Sequence, residues 1–192
     1  MAEPFDLPVK HFKSAAAWEK WLVAHADARG VWLQIAKKGA DMASLTYAEA
    51  LDVALCHGWI DGQKQAFDAQ CFLQRFTPRR PRSVWSKINV GKVETLIAAG
   101  RMQPAGMREV EAAKADGRWL AAYDSARTME VPAELAAALA KNSKAKAFFE
   151  SLNKTNYYAV CWRVQTAKKP ETRAARVHKL VEMLARGEKI HG

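Results

Sequence analysis

The sequence predicts an α+β fold: a small antiparallel sheet of about three strands, flanked by helices and followed by a helical C-terminal unit. Two observations support this prediction. Three runs are rich in β-branched and aromatic residues, at residues 31–36, 59–67 and 70–77, and the last two are joined at Asp68-Ala69 as a hairpin. Beyond residue 130, proline and asparagine separate short segments whose apolar residues recur at helical spacing.

Four helices are predicted in the first part of the chain, each beginning at a capping residue or a proline: residues 14–28, 46–57, 86–99 and 104–116. The clearest signal is Thr46 followed by Glu49, the spacing of a capping box. Gly62 lies inside the second predicted strand, where it indicates a bulge or a close backbone approach.

The C-terminal part is predicted to hold four short helices, which begin at or near Pro132, Asn142, Asn153 or Thr155, and Glu171. Residues 120–130 carry no regular pattern. We therefore predict two domains: residues 1–125, the α+β domain, and residues 126–192, a basic helical unit that packs on the first.

The charge is strongly basic and unevenly distributed. The chain has 192 residues and a formal net charge of +10, and residues 141–192 hold 12 Lys and Arg against four acids. This asymmetry favours an acidic partner, such as nucleic acid or an anionic surface. The alternative is an ordinary solvated helical surface.

Location is predicted from what the sequence lacks and from its cysteines. Residues 1–13 contain no apolar signal-peptide core, and no apolar run is long enough to span a bilayer. Three widely spaced cysteines inside apolar segments indicate buried thiols and a reducing compartment. We expect a cytoplasmic protein without a membrane span.

The most distinctive segment is residues 72–91, FLQRFTPRRPRSVWSKINVG, because no acid lies between Asp68 and Glu94. Four arginines fall on the end of a strand and on a loop stiffened by Pro78 and Pro81. A helix begins just after this loop, and helix N-termini offer free N–H groups to anions. Arginine forks suit phosphate and carboxylate groups. We therefore predict an anion-binding site here.

Common catalytic and cofactor motifs are missing. No histidine pair has metal-ligand spacing, and the sequence has no phosphate-binding P-loop, no dinucleotide fingerprint and no GxSxG. We expect no metal and no cofactor. The weak catalytic candidates are Asp61 and His57, as an acid/base pair beside the arginines. The alternative, which we favour, is that Asp61 forms an ion pair with Arg75 or Arg79.

Nucleic-acid binding is a second interpretation of the basic character. Arginines interleaved with Phe76 and Trp85 fit backbone contact combined with base stacking, although Trp85 fits a core position equally well. In the helical unit, the predicted nucleic-acid contacts are Lys168, Lys169, Arg173 and Arg176.

The residue pattern resembles the bacterial YdeI/OmpD-associated family, also called the bacteriocin-protection family. The resemblance rests on LCHGWIDG at 55–62, RFTPRRPRSVWSKIN at 75–89, MQPAGM at 102–107, GRW at 117–119 and AKKPETRAAR at 167–176. It implies a role in antimicrobial-peptide or envelope-stress protection, and it implies no reaction. The signature residues expected at the ligand site are polar, aromatic or turn residues: Trp59, Asp61, Arg75, Thr77, Arg79, Arg80, Arg82, Ser83, Trp85, Ser86 and Asn89.

Three functions remain open at this point. The leading one is a non-enzymatic protein that binds an anionic small molecule at residues 59–89, with nucleic acid as a further partner of the C-terminal helices. The second is an enzyme acting on a phosphorylated or carboxylate substrate, with Asp61 or His57 as the acid/base. The third is a scaffold in which the signature region serves only folding.

Overall fold

The computed structural model describes residues 6–192, which form four strands and eight helices. The strands are β1 (Val9–His11), β2 (Val31–Ala36), β3 (Trp59–Ala66) and β4 (Cys71–Pro78). The helices are α1 (Ala15–Ala24), α2 (Tyr47–Cys56), α3 (Lys87–Ala98), α4 (Pro104–Ala115), α5 (Ala133–Ala140), α6 (Ser143–Glu150), α7 (Lys154–Gln165) and α8 (Pro170–Ala185).

The chain divides into two compact units. The first holds the described residues up to Ser83 together with Asn89–Trp119, and the second holds Val84–Ile88 and Leu120–Gly192. The α+β class and the helical C-terminal region are confirmed. The division into domains at residue 125 stays a prediction.

The sheet corrects the predicted strand count. It has four strands in the order β1-β2-β4-β3, and it is mixed, because β1 runs parallel to β2 while the other neighbours are antiparallel. Sequence patterning missed β1, which has only three residues. Those residues have no strand signal of their own, and they are extended because β2 pairs with them.

The hairpin between β3 and β4 is confirmed, and its turn is held by one carboxylate. Oδ1 of Asp68 accepts hydrogen bonds of 2.7 Å from the N–H groups of Gln70 and of Cys71. The bond from Cys71, followed by that from Gln70, lowers the pKa of the Asp68 carboxyl. Asp68 is therefore the residue that closes the turn.

A bulge interrupts β3 at the position that Gly62 indicated. The register shifts between Asp61, opposite Phe76, and Lys64, opposite Gln74. The buried Gln74 side chain donates from Nε2 to the carbonyl oxygens of Gly62 at 2.9 Å and Gln63 at 3.2 Å. These bonds give two backbone carbonyls of the bulge a donor from the neighbouring strand.

The two faces of the sheet have different neighbours. On one face, Phe76 and Trp59 contact Trp18 of α1, with ring centroids 5.8 and 6.1 Å apart. On the other face, Leu73 and Trp32 form a smaller apolar cluster. Alternation along β4 therefore sends Phe76 toward α1 and its neighbours Arg75 and Thr77 to the opposite face.

Helices α2 and α4 approach each other closely at a glycine. The N–H of Gln103 donates to the carbonyl of Cys56 at 3.0 Å, and Gly106 follows one turn later. A Cβ atom placed on Gly106 would lie 2.2 Å from the Cys56 oxygen. Only glycine permits this approach of two helix ends.

The helices begin close to the predicted positions. Ser14, Thr46, Asn142 and Asn153 each accept a backbone hydrogen bond as N-caps, and Thr46 with Glu49 completes the capping box. Helix α1 ends at Ala24, four residues earlier than predicted. The last helix includes Pro170, because the first helical position needs no N–H donor.

The second unit has its own core. Buried apolar residues of α5, α6, α7 and α8 pack together, among them Leu135, Phe149, Cys161 and Leu180. All three cysteines are buried and unpaired. Within residues 6–192, no helix combines the length and the apolar character needed to cross a bilayer.

Candidate functional site

The arginine loop contains a tight turn with an unusual backbone. The N–H of Ser83 donates to the carbonyl of Arg80 at 3.0 Å, so residues 80–83 form a closed turn with Pro81 at its second position. Arg82, the third residue, has a φ of 64°, the left-handed value that a type II turn requires there. Glycine or asparagine normally fills that position, because a side chain costs about 1–2 kcal/mol in this region.

Arg80 and Arg82 are both exposed on this turn. Two guanidinium groups, two residues apart, therefore project into solvent from a backbone that proline and a hydrogen bond hold in place. Each can donate a fork of hydrogen bonds to an oxyanion.

A buried arginine from beyond α4 holds the end of the turn. Arg118 is only 4 % exposed, and its Nη1 donates to the carbonyl of Ser83 at 2.9 Å. Its Nε also bonds both carboxylate oxygens of Asp116, at 2.8 and 2.6 Å. The signature tripeptide at residues 117–119 thus contributes an anchor for the turn, a role that its sequence did not indicate.

Asp61 does not pair with Arg75, one of the two ion-pair partners that we favoured from the sequence. Its Oδ2 accepts a hydrogen bond of 2.8 Å from the hydroxyl of Tyr47, while Arg75 pairs with Asp6 at 2.8 Å. The register explains this, because Asp61 lies opposite Phe76 and so shares the α1 side of the sheet, whereas Arg75 lies on the other side. Burial, followed by the bond to Asp61, raises the pKa of Tyr47.

His57 and Asp61 have separate partners. The imidazole of His57 is nearly buried and lies 3.5 Å from the carboxylate of Glu19, at the C-terminal end of α2. Tyr47, at the other end of that helix, bonds Asp61. No contact of the described residues joins the two candidate acid/base groups.

The signature residues differ widely in exposure. Trp59 and Arg79 are buried, at 4 % and 6 % exposed, and Trp85 of the second unit is 2 % exposed. A ring so deeply buried offers no face for a base to stack on. Thr77, Ser83, Ser86 and Asn89 are partly exposed. Within the first unit, the fully exposed cations of the set are those of the turn, Arg80 and Arg82.

Two of the predicted nucleic-acid contacts in the second unit are engaged with the protein itself. Arg173 donates from Nε and Nη2 to the carbonyl of Ala167 and from Nη1 to Glu134 at 3.1 Å. Arg176 donates from Nη1 to the carbonyl of Arg163 at 2.6 Å. Both therefore satisfy free carbonyls at the C-terminal end of α7. Lys168 and Lys169 are exposed.

A polar cleft of about 520 Å³ in the second unit is lined by five charged residues, four of which form two ion pairs. Asp124 receives bonds from Lys87 at 2.8 Å and from Gln165 at 2.5 Å. The Lys87 bond is the main reason that the pKa of Asp124 is lowered. Arg173 and Glu134, which also line the cleft, form the second pair.

The roles of two residues of this region, Arg118 and Tyr47, could not be assigned from the sequence, for different reasons. Arg118 has a signal in hindsight, since it lies between a glycine and a tryptophan in a distinctive tripeptide. Tyr47 has none, because it is fourteen residues from Asp61 and only the packing of α2 against β3 brings them together.

Comparison with known proteins gives two family matches. A model described as a domain of unknown function (DUF8412) matches residues 10–109, and one described as "Bacteriocin-protection, YdeI or OmpD-Associated" matches residues 128–187. No curated protein and no solved structure matches the chain.

The two matches divide the motifs that carried the resemblance. The motif at residues 167–176 lies within the bacteriocin-protection match, while those at 55–62, 75–89 and 102–107 lie within the match of unknown function, and GRW at 117–119 lies in neither. The suspected family is therefore confirmed through the C-terminal region. The chain belongs to the DUF8412 family, whose model covers residues 10–109, and its residues 128–187 match the YdeI/OmpD-associated, bacteriocin-protection family.

Proposed function

We propose that this protein is a non-enzymatic binder of an anionic ligand, and that the turn at residues 80–83 is its contact site. The observation that carries the proposal is the left-handed φ of 64° at Arg82, an exposed residue. Folding alone would favour glycine there. An arginine in a strained backbone conformation, beside a second exposed arginine, is better explained if its side chain binds a ligand.

Charge complementarity supports the same ligand class. The turn lies in a segment of 25 residues between Asp68 and Glu94 that contains no acid. An arriving phosphate or carboxylate group therefore meets no like charge from neighbouring residues in this segment. Each charge-assisted bond would contribute about 1.5–3 kcal/mol to binding.

The family membership suggests a biological setting, protection against antimicrobial peptides or envelope stress. A protein with a net charge of +10 repels cationic molecules, so it is poorly suited to capture a cationic peptide directly. We therefore propose an indirect role, in which the protein binds an anionic ligand rather than the peptide. We further propose a cytoplasmic location, supported by three buried, unpaired cysteines. Nucleic acid is a candidate partner of the basic second unit.

The test compares two pairs of variants with the same loss of charge. Arg80→Ala with Arg82→Gly removes the cations of the turn, while Arg101→Ala with Arg108→Ala removes two exposed cations elsewhere in the first unit. Thermal-shift measurements use sulfate, inorganic phosphate, sugar phosphates and mononucleotides. We expect the turn variant to lose the ligand-induced shift and the control to keep it. Equal shifts in both variants would refute the proposal.

Stability of Arg82→Gly adds a second readout. Glycine relieves the left-handed strain, so the free energy of unfolding of this single variant should be about 1 kcal/mol higher than that of the wild type. Its affinity for anions should be lower. A variant that is less stable would show that Arg82 supports the fold, as the scaffold interpretation requires.

A further inference from the structure

A cleft of about 780 Å³ lies along α7 and α8, entirely within the second unit. Helix α8 contributes four lining residues, Arg176, Lys179, Leu180 and Met183. Their spacing of i, i+3, i+4 and i+7 places them on one face of that helix. Trp162 and Arg163 line it from α7, and the volume suits a small organic ligand.

The floor of the cleft is apolar and aromatic. Leu180 is 5 % exposed, and Met183 and Trp162 are partly exposed beside it. The ring of Trp162 is held by an edge-to-face contact with Tyr123, at 5.9 Å between centroids and 84° between planes. A partly exposed indole that is fixed in this way offers a surface for a planar ring.

The rim of the cleft is positively charged. Six of its residues carry charge, four of them cations, and Glu188 is paired in a fork with Arg186 at 2.8 and 2.9 Å. The other acid, Glu182, lies 3.5 Å from His178. Over residues 6–192, the ion pairs leave Arg163, Arg176 and Lys179 without a carboxylate partner.

Arg176 is oriented before any ligand arrives. Its Nη1 is bonded to the carbonyl of Arg163 at 2.6 Å and lies 3.5 Å from the hydroxyl of Thr166. Among the described residues, its Nε and Nη2 have no hydrogen-bond partner, so one edge of the guanidinium is available. A fixed guanidinium loses little side-chain freedom on binding an oxyanion.

From these features we infer that the α7–α8 cleft binds a nucleotide, with the base against Trp162 and the phosphate against Arg176 and Lys179. An aromatic floor beneath a cationic rim matches the two halves of that ligand. The nucleotide is either free or part of a single strand, and both present the same base and phosphate. This site is separate in its residues from the arginine turn, and its existence does not depend on the function proposed for that turn.

The test measures binding of AMP, of inorganic phosphate and of a ten-residue oligothymidylate to the full chain, by calorimetry and by fluorescence anisotropy. Arg163→Ala with Lys179→Ala removes two cations of the cleft. Lys168→Ala with Lys169→Ala removes the same charge from exposed lysines that do not line it. Among the described residues, these four side chains make no hydrogen bond or ion pair, so both variants should fold, which circular dichroism checks.

We expect the cleft variant to weaken nucleotide binding by at least about tenfold and the control by less than about threefold. Trp162→Leu should weaken AMP binding by about tenfold or more and leave phosphate binding unchanged, while Trp162→Phe retains most of the affinity. Saturable AMP binding that survives added salt identifies a free nucleotide, and tight binding of the oligothymidylate alone identifies a single strand. Each of these outcomes supports the inference that the cleft binds a nucleotide.

Three results would overturn the inference. The first is an equal loss in the cleft variant and the lysine control, which would mean that general surface charge accounts for binding. The second is an affinity for AMP that is no higher than that for inorganic phosphate, together with an affinity for the oligothymidylate that Trp162→Leu leaves unchanged. The third is no binding of either nucleotide probe. The turn variant of Arg80 and Arg82 separates the two sites, since it should leave this cleft unaffected.

Discussion

Replacing Gly106 with alanine tests how the first unit is held together. The added Cβ atom would lie 2.2 Å from the oxygen of Cys56, 2.8 Å from its carbonyl carbon and 2.8 Å from the oxygen of Leu55. All three are backbone atoms at the end of α2, so no side chain can rotate away. Helix α4 must therefore move by about 1 Å to restore ordinary contact distances of about 3.5 Å.

The expected change in the free energy of unfolding combines two destabilising effects and one stabilising effect. Overpacking costs about 1–3 kcal/mol. The same movement weakens the hydrogen bond from Gln103 to Cys56, which contributes about 1 kcal/mol. Alanine in place of a helical glycine recovers about 1 kcal/mol. We expect Gly106→Ala to lower the free energy of unfolding by about 1–3 kcal/mol.

Gly91→Ala provides the matched control. Gly91 lies in α3, is exposed, and a Cβ added there would meet nothing within 4 Å. The same chemical change should therefore stabilise the protein by about 0.5–1 kcal/mol. Urea unfolding followed by tryptophan fluorescence, with thermal melts beside it, measures both variants. If Gly106→Ala matches the wild type or is stabilised like the control, the reasoning about the helix contact is wrong.

Three further predictions follow from polar contacts. Gln74→Leu should lower the free energy of unfolding by about 1–3 kcal/mol, because it leaves two bulge carbonyls without their donor. The control, Gln65→Leu at an exposed position, should change this free energy little, and chemical denaturation measures both variants. Arg118→Met should cost about 2 kcal/mol and speed amide exchange at the turn, because the bond to the Ser83 carbonyl is lost; unchanged exchange there would contradict the anchoring role. Burial, followed by the bond to a carboxylate, raises the pKa of Tyr47, so its contribution to stability is present below about pH 10 and is lost as the pH rises further. Absorbance titration at alkaline pH should show one fewer late-ionising tyrosine in Tyr47→Phe, and an unchanged titration would count against this assignment.

Local signals in the sequence were sufficient for most of the helices. Caps and helix-starting prolines act within one turn of the chain, so Ser14, Thr46, Asn142 and Asn153 could be identified without knowing what each helix packs against. The hairpin was equally local, because Asp68 closes its turn through bonds to residues two and three positions away.

The candidate site was predictable only in part. The stretch without acids and its arginines could be read directly from the residue order, but which arginines are exposed could not, since Arg79 is buried. The partners of the charged residues could not, because each is chosen by packing over long separations in the chain. Asp61 bonds Tyr47 rather than an arginine, and Arg118 reaches the turn from 35 residues away.

By itself, the sequence determined the α+β class, most helix starts, the hairpin and the basic character of the chain. These features depend on the backbone preferences of residues that are close together in the chain, and on the overall composition. Only the tertiary structure decided that β1 joins the sheet, that its two faces separate Asp61 from Arg75, and that Arg163, Arg176 and Lys179 line one cleft. The reason is physical: these outcomes depend on contacts between distant segments, and no local pattern records which segments meet.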